Sequence, residues 1–493
     1  MSSELTTNPF ESFSDDDGDH LKEECGVFGI IGDIDAAAHT GLGLHALQHR
    51  GQEAAGIVSF DGTQFHSHRG LGHVSENFKS EVVERLTGSM AIGHTRYSTT
   101  GGTILRNVQP FFHEFEFGGF AIAHNGNLTN AMTLRRELQK RGCLFQSTSD
   151  TEVVSHLIAV SVHGSVEERL IGALRQIEGA YSFVCLTNNG IIGARDPLGV
   201  RPLVLGKLDK AYILASETCA LDIIGAEFVR DIEPGEVVIL TDQGIRSVKP
   251  FPKQNPRFCV FEYIYFARPD SNMEGHNVYE VRKAIGAQLA IESPVDCDVV
   301  VPVPDSGVPA ALGFAAQAGK PFELGIIRNH YVGRTFIQPT DKTRHLGVKR
   351  KHNPNKGVLD GKRVVLVDDS IVRGTTSTKI VDMVRQAGAK EVHMRISSPP
   401  TAHPCFFGID TPSYDKLLAA QHDLAGMAKL LGVDSLAFIS VDGLYKAAGE
   451  ANRNAERPQF CDACFTGDYP LPLTDQKAGS APKQLSLLKE EVA

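Results

Sequence analysis

The chain has 493 residues, 42% hydrophobic and 22% charged, with no tryptophan. That length allows two large cores or three smaller ones and excludes a small disulfide-stapled scaffold. A net charge of −10 disfavours broad nucleic-acid binding, and no apolar run approaches the roughly 20 residues of a membrane-spanning helix.

The first 24 residues, MSSELTTNPFESFSDDDGDHLKEE, are acidic and lack a basic n-region and an uninterrupted apolar core, so they do not read as a secretion or transit signal. Nine cysteines without such a signal argue against a disulfide framework, leaving catalysis, metal binding or burial to account for them. The cytoplasm is the expected compartment. The leader ends at Cys25, the head of the apolar run CGVFGIIGD. Two readings are open at this point: a disordered tail before a buried strand cysteine, or a pro-segment whose removal puts the thiol and a free α-amino group on one residue.

From 25 to 254 short β-type runs such as GVFGIIG, GFAIAHNG, YSFVCLT and EVVILT alternate with Gly, Asn and Asp turn signals. Helical patterns lie near 129–142 and 150–162. The expectation is an α+β domain built on stacked sheets. The Pro-rich FPKQNPRFC marks a junction, and from 255 to 470 Val-rich runs alternate with helical patterns, as in a mainly parallel, doubly wound α/β sheet. Residues 471–493 read as a flexible C-terminal tail.

In the stretch GKRVVLVDDSIVRGTTSTKIVDMVRQAGAK, residues 364–367 read as a buried parallel strand. Ile380, Val381, Val384 and Ala387 share one face of the next helix, which Gly388 is placed to end. Between them stand Asp368 and Asp369, then Arg373, Gly374, Thr375, Thr376 and Ser377. Ligands bind at the carboxyl ends of such strands, and a Gly followed by hydroxyls at a helix N-terminus offers donors to a phosphate. The aspartates suit sugar hydroxyls or a magnesium ion. None of the Gly-Lys pairs (206–207, 319–320, 361–362) is followed by Ser or Thr, so no Walker A loop is present.

VVLVDDSIVRGTTS resembles the signature of type I phosphoribosyltransferases, which use phosphoribosyl pyrophosphate (PRPP). The resemblance implies that Asp368 and Asp369 meet the ribose hydroxyls and metal, and that the following turn holds the 5′-phosphate. VPVPDSGVPAA would be the pyrophosphate loop, with Asp305 and Ser306 near one magnesium ion per subunit, held by Ser306, Asp368 and Asp369. RNHYVGRTFIQPTDKTRHLGVKRK would close over PRPP, its Arg344, Lys349, Arg350 and Lys351 opposing the pyrophosphate charge.

The first half carries LQHRGQEAAG (47–56), IGHTRYSTTG (92–101), AIAHNGNLTN (121–130) and TSDTEV (148–153). A thiolate attacking a carbonyl needs a base, an oxyanion stabiliser and a hold on its substrate. A free α-amino group with a pKa near ~8 is a competent base. Asn125 and Gly126 offer amide donors to an oxyanion, Arg96 a clamp for an α-carboxylate and Asp150 a partner for an α-ammonium. Together they describe a pocket for glutamine. This half resembles the N-terminal-nucleophile glutamine amidotransferases, with stacked sheets between helices. By that resemblance residues 1–24 are a pro-segment, Arg50 helps place the nucleophile, and Thr99 and Gly126 line the glutamine site. His49, His94 and His124 are read as structural, since an amino-terminal base leaves no step that requires them.

Joined, the halves resemble the glutamine-dependent PRPP amidotransferases over about 25–470. That resemblance implies a cysteine thioester of glutamine, ammonia passing through a closed channel to C1 of PRPP, and the opening step of purine synthesis. It also implies a homotetramer inhibited by purine nucleotides, with no nucleic-acid or membrane partner. QFCDACFTG adds a CxxC at Cys461 and Cys464, while Cys259 and Cys405 stand in marked contexts. Four soft thiolates fit zinc or a 4Fe-4S cluster, and spacing does not separate them. The subgroup with a pro-segment carries one 4Fe-4S cluster per subunit at cysteines in these contexts. Cys143, Cys185, Cys219 and Cys297 read as inert core residues. Two rivals fare worse: a PRPP-sensing gene regulator has no use for Cys25, Arg96 and Asp150, and an amidotransferase of another sugar has no use for VVLVDDSIVRGTTS.

Overall fold

The computed structural model describes residues 25–97, 104–329 and 352–477. The leader, Thr99, Lys349 and the basic cluster of the proposed closing loop lie outside them. Among the described residues the chain forms two compact units. One holds 283–401 and 414–444; the other holds 25–282 and recovers 402–413 and 445–477. The chain therefore divides differently from a single cut near 254: the larger unit takes its last pieces from sequence far beyond the junction.

That larger unit is built on two antiparallel sheets. The seven-stranded one runs, edge to edge, Glu227–Asp231, Val204–Leu208, Ala211–Ala215, Gly26–Ile31, Met90–Arg96, Ala54–Phe60 and Phe65–Leu71. The six-stranded one runs Gly244–Val248, Val237–Thr241, Gly190–Arg195, Gly179–Thr187, Gly118–Leu128 and Phe111–Phe115. Strand alternation explains the layering. Val27 and Ile31 pack with Val58, Ile92, Ala123, Val184 and Leu214 between the sheets. Phe28 and Ile30 turn the other way onto Leu44 and Ala36 of the helix Ala36–Ala46. On the far face Leu138, Val153, Leu157 and Leu170 of three helices cover Phe120, Ile122, Phe183 and Ile192. The result is helix, sheet, sheet, helix, as the sequence implied.

Two helices follow the expected patterns, Ala131–Lys140 and Thr151–Ala159. The helix Ala36–Ala46 has no clear apolar stripe, because Ala and Gly line the contact; a Cβ at Gly43 would lie 2.4 Å from the Phe28 ring. The reading of a flexible tail from 471 is corrected for its described part. Thr474–Lys477 is helical, and the Asp475 carboxylate accepts from Met132 N–H at 2.8 Å and Thr133 N–H at 3.0 Å. It caps the helix Ala131–Lys140, whose own Asn130 is turned to Gln176 and Glu178 instead.

The other unit carries four parallel strands in the order Val299–Pro302, Arg363–Asp368, Glu391–Ile396, Ser435–Phe438. Their Val, Leu, Ile and Met side chains pack against Ile380, Val381 and Val384 of the helix Thr375–Gln386 and Met427 and Leu431 of the helix Leu424–Leu431. Gly388, at φ +102°, ends the first of these as expected.

Candidate active site

The nucleophile candidate stands immediately before the strand Gly26–Ile31, buried to 7% exposure. Its Sγ lies 3.5 Å from the Tyr97 carbonyl. Burial pushes the Cys25 thiol up; Arg96 opposes that shift and Asp150 adds to it, which brings three residues distant in sequence into one electrostatic neighbourhood. Arg50, fully buried, donates from Nε to the Cys25 carbonyl at 3.3 Å and is gripped by Glu262 (2.7 and 2.9 Å) and Glu217 (2.6 Å).

Asp150 joins two layers. Its carboxylate accepts from Thr151 N–H at the start of the helix Thr151–Ala159, 2.8 Å, and from Leu128 N–H in the strand Gly118–Leu128, 2.9 Å. Glu152 holds the approach to it, accepting from Gln146 N–H at 2.7 Å and Ser147 N–H at 2.8 Å. Asn125 is fully buried, and among the described residues neither its side-chain oxygen nor its nitrogen has a hydrogen-bond partner. An unpaired buried amide is costly unless something else satisfies it. Gly126 follows at φ +144°, where a Cβ would meet the Ala180 carbonyl at 2.1 Å, so no side chain fits there. A cavity of about 200 Å³ opens beside Asp150, lined by Asn127, Ser149, Met132, Phe406 and Leu473 among others.

The histidines are internal. His94 Nε2 lies 3.1 Å from the His124 carbonyl and His124 Nδ1 3.0 Å from Thr151 Oγ1. Burial holds His94 down to about 3 and also lowers His124, so both are neutral.

In the parallel-sheet unit two loops converge. The strand Val299–Pro302 leads to Asp305 and Ser306, and its neighbour Arg363–Asp368 leads to Asp369 and the turn at Gly374. Ser306 Oγ donates to Asp369 Oδ1 at 2.5 Å, and Ser370 Oγ to Asp369 Oδ2 at 2.6 Å. Both aspartates are 1% exposed, while Asp305 pairs with Arg328. Gly374, at φ +82°, turns the chain into the helix Thr375–Gln386, which begins with Thr375, Thr376 and Ser377. Arg373 immediately precedes that turn. Gly307 allows the loop to pass close over the sheet: a Cβ there would lie 2.4 Å from the Val367 carbonyl and 2.8 Å from that of Val303.

The four marked cysteines lie in the larger unit. Cys259 and Cys461 are register partners in a short parallel pair, and the carbonyl of Cys464 accepts from Ala402 and His403 N–H, near Cys405. Burial raises the Cys259, Cys461 and Cys464 thiols, and the Cys405 thiol adds to that rise at each. Among the described residues no three His, Cys, Asp or Glu side chains form a group tight enough for a single metal ion. Soft buried thiols suit a cluster by donor chemistry, and the hard oxygens of Ser306, Asp368 and Asp369 suit magnesium, which takes one or two carboxylates together with substrate phosphates. Cys185, Cys219 and Cys297 are buried and Cys143 half-buried. No helix among the described residues is long and apolar enough to cross a membrane.

Sequence reasoning passed over Glu262 and Glu217, which fix Arg50. Nothing local could have revealed pairs 212 and 167 residues apart.

Comparison with known proteins gives the family. Residues 94–222 match the glutamine amidotransferase domain family and 282–397 the phosphoribosyl transferase domain family. The amidophosphoribosyltransferase of Rhizobium etli is 60% identical over 98% of this chain and 99% of its own. That of Bacillus subtilis is 50% identical over 92% and 95%. The solved B. subtilis glutamine PRPP amidotransferase, complexed with ADP and GMP, superposes with a TM-score of 0.87 at 49% identity, covering 91% of this chain and 98% of that one. The two domain types are thus found together in relatives of nearly full length. The chain belongs to the amidophosphoribosyltransferase family, whose members move the amide nitrogen of glutamine onto PRPP in the first step of purine biosynthesis.

Proposed function

We propose that Cys25, once it is the amino-terminal residue, is the nucleophile of the glutamine half-reaction. Its α-amino group takes the thiol proton, Sγ bonds to the amide carbon, and the α-ammonium returns that proton to the amide nitrogen as the C–N bond breaks and ammonia leaves. Water then hydrolyses the thioester to glutamate. Arg96 and Asp150 hold the α-carboxylate and α-ammonium, with Thr99 completing the pocket, and Arg50 holds the nucleophile by its carbonyl. The reading rests chiefly on Asn125, whose buried amide lacks a partner among the described residues and would gain one in the oxyanion, beside the Gly126 N–H. Burial of the thiol makes an adjacent base necessary.

The ammonia forms the new C–N bond at C1 of PRPP as the C1–O bond to pyrophosphate breaks. Asp368 and Asp369 orient the ribose hydroxyls, Arg373, Gly374, Thr375, Thr376 and Ser377 hold the 5′-phosphate, and Asp305, Ser306 and Lys349 face the pyrophosphate. Magnesium, held by Ser306, Asp368 and Asp369, supplies counter-charge to the leaving group when bound.

Cys259, Cys405, Cys461 and Cys464 hold one 4Fe-4S cluster per subunit, with a structural role. The support for this reading is donor chemistry: four soft thiols, of which Cys259, Cys461 and Cys464 are buried. Purine nucleotides act as inhibitors, a reading supported by the ADP and GMP of the B. subtilis complex, on a homotetramer in the cytoplasm. Intact mass and iron analysis of anaerobic protein test the amino-terminal nucleophile and the cluster together: a chain beginning at Cys25 with four iron atoms is expected, and fully active enzyme retaining Met1 refutes the amino-terminal base. Cys25→Ala is expected to abolish glutamine-dependent synthesis and spare ammonia-dependent synthesis; loss of both refutes the two-site reading.

A further inference from the structure

Four charged side chains, Arg50, Glu217, Glu262 and Arg201, are fully buried in the larger unit, two of each sign. They form a continuous path. Arg50 donates to the Cys25 carbonyl at 3.3 Å and, through both terminal nitrogens, to the two oxygens of Glu262. Arg201 donates to the same Glu262 at 3.5 Å and, from Nε, to the Phe407 carbonyl at 2.8 Å.

The far end of that path is the loop that backs the amide site. Asn127 Nδ2 donates to the Phe406 carbonyl at 2.9 Å. At Gly408, a Cβ would lie 3.1 Å from the Gly126 Cα and 3.5 Å from Arg201 Nε. Loop 406–408 therefore lies flush against the glycine whose N–H faces the oxyanion, with Arg201 holding it from behind.

Buried charges are expensive, and breaking one pair leaves its partner uncompensated. Local stability alone could be met by apolar packing at lower cost. What the charged path adds is a fixed geometric relation between two parts of one reaction: the backbone that carries the attacking sulfur and the backbone that receives the oxyanion. A misplacement of about 1 Å between such groups costs on the order of a hundredfold in rate.

We infer that Glu262 and Arg201 are positioning residues of the glutamine half-reaction, setting Cys25 and Gly126 in register through Arg50 and through loop 406–408. This inference rests on the assignment of Cys25 as nucleophile and Gly126 as oxyanion donor. Neither Glu262 nor Arg201 touches substrate. Their effect should appear in the glutamine reaction and not in the use of ammonia.

The test is Glu262→Gln in the full-length, processed enzyme, which keeps side-chain shape and removes the charge. Three readouts are taken: glutamine kcat/KM, ammonia-dependent synthesis, and the rate at which the diazoketone analogue of glutamine labels Cys25. The expected result is at least a tenfold fall in the first and third, carried by kcat more than KM, with ammonia-dependent synthesis within twofold of the parent. Retention of all three within twofold overturns the inference, as does an equal loss of glutamine and ammonia use in a folded protein. Should Glu262→Gln fail to fold, Gly408→Ala decides, since it shifts the loop without removing a charge. It is expected to show the same selective loss, and normal labelling of it overturns the inference. If Cys25→Ala keeps glutamine use, the underlying assignment has failed; if it loses that use while Glu262→Gln is normal, only the inference has.

Discussion

Gly307→Ala is the sharpest perturbation the parallel-sheet unit offers. Gly307 has an ordinary φ of −73°, so alanine brings no backbone strain, and the whole effect is steric. Its Cβ would stand 2.4 Å from the Val367 carbonyl, whereas an ordinary van der Waals contact needs at least 3.4 Å. The obstacle is backbone at the centre of the sheet, so the loop must retreat by the difference, 1.0 Å. That loop carries Asp305 and Ser306, and a displacement of about 1 Å at a reacting centre costs on the order of a hundredfold, or about 2.7 kcal/mol in barrier. Pyrophosphate release should therefore fall about a hundredfold with either glutamine or ammonia as donor, while hydrolysis of glutamine in the absence of PRPP stays within twofold. A Gly307→Ala enzyme with the parent's kcat/KM for PRPP would refute the steric argument and the placing of this loop against the substrate.

Two other outcomes follow from hydrogen bonds already described. Asp369→Asn keeps the size of a side chain that accepts from both Ser306 and Ser370 but removes its charge; loss of PRPP binding by calorimetry, with an unchanged fold, is expected, and unaltered affinity would contradict the role given to it. Glu152 is held down to about 2: burial alone would raise it, but His156 and the N–H and hydroxyl donors of Gln146 and Ser147 outweigh that. A depressed carboxylate contributes stability above its unfolded value of 4.5 and loses it as pH falls from there towards 2. Glu152→Gln should thus cost on the order of 2 kcal/mol at neutral pH and flatten the acid limb of the urea-midpoint curve in that window. An unchanged acid limb would remove Glu152 as the anchor of the loop before Asp150.

What could be read from the chain divides by range. The strand at 363–368, its aspartates and the helix after Gly374 were legible because every part is local, and one strand, one turn and one helix specify the geometry. The pairing of Ser306 with Asp369 was foreseeable only through the rule that adjacent parallel strands present their loops at the same end. Cys25 was legible as a candidate, but its surroundings were not. Arg50 needs Glu262, the helix Ala131–Lys140 needs Asp475, and the cysteines need a parallel pair between residues about two hundred positions apart. Such partners are chosen by tertiary packing, and no periodicity announces them. The helix Ala36–Ala46 escaped because glycine and alanine make its contact, so close approach replaced the apolar stripe.

The discontinuous make-up of the larger unit bears on how the protein is born. The strand Phe258–Cys259 pairs with Phe460–Cys461, a partner 202 residues later on the ribosome's message. At translation rates of about 5–20 residues per second, that edge stays open for ~10–40 s after its own synthesis. For about the first three quarters of that interval the amide-site domain also lacks loop 402–413, which backs Gly126, and throughout it lacks the helix cap from Asp475. A step that requires loop 402–413 and the Asp475 cap to be in place around the amidotransferase domain therefore waits until residue 475 has been made.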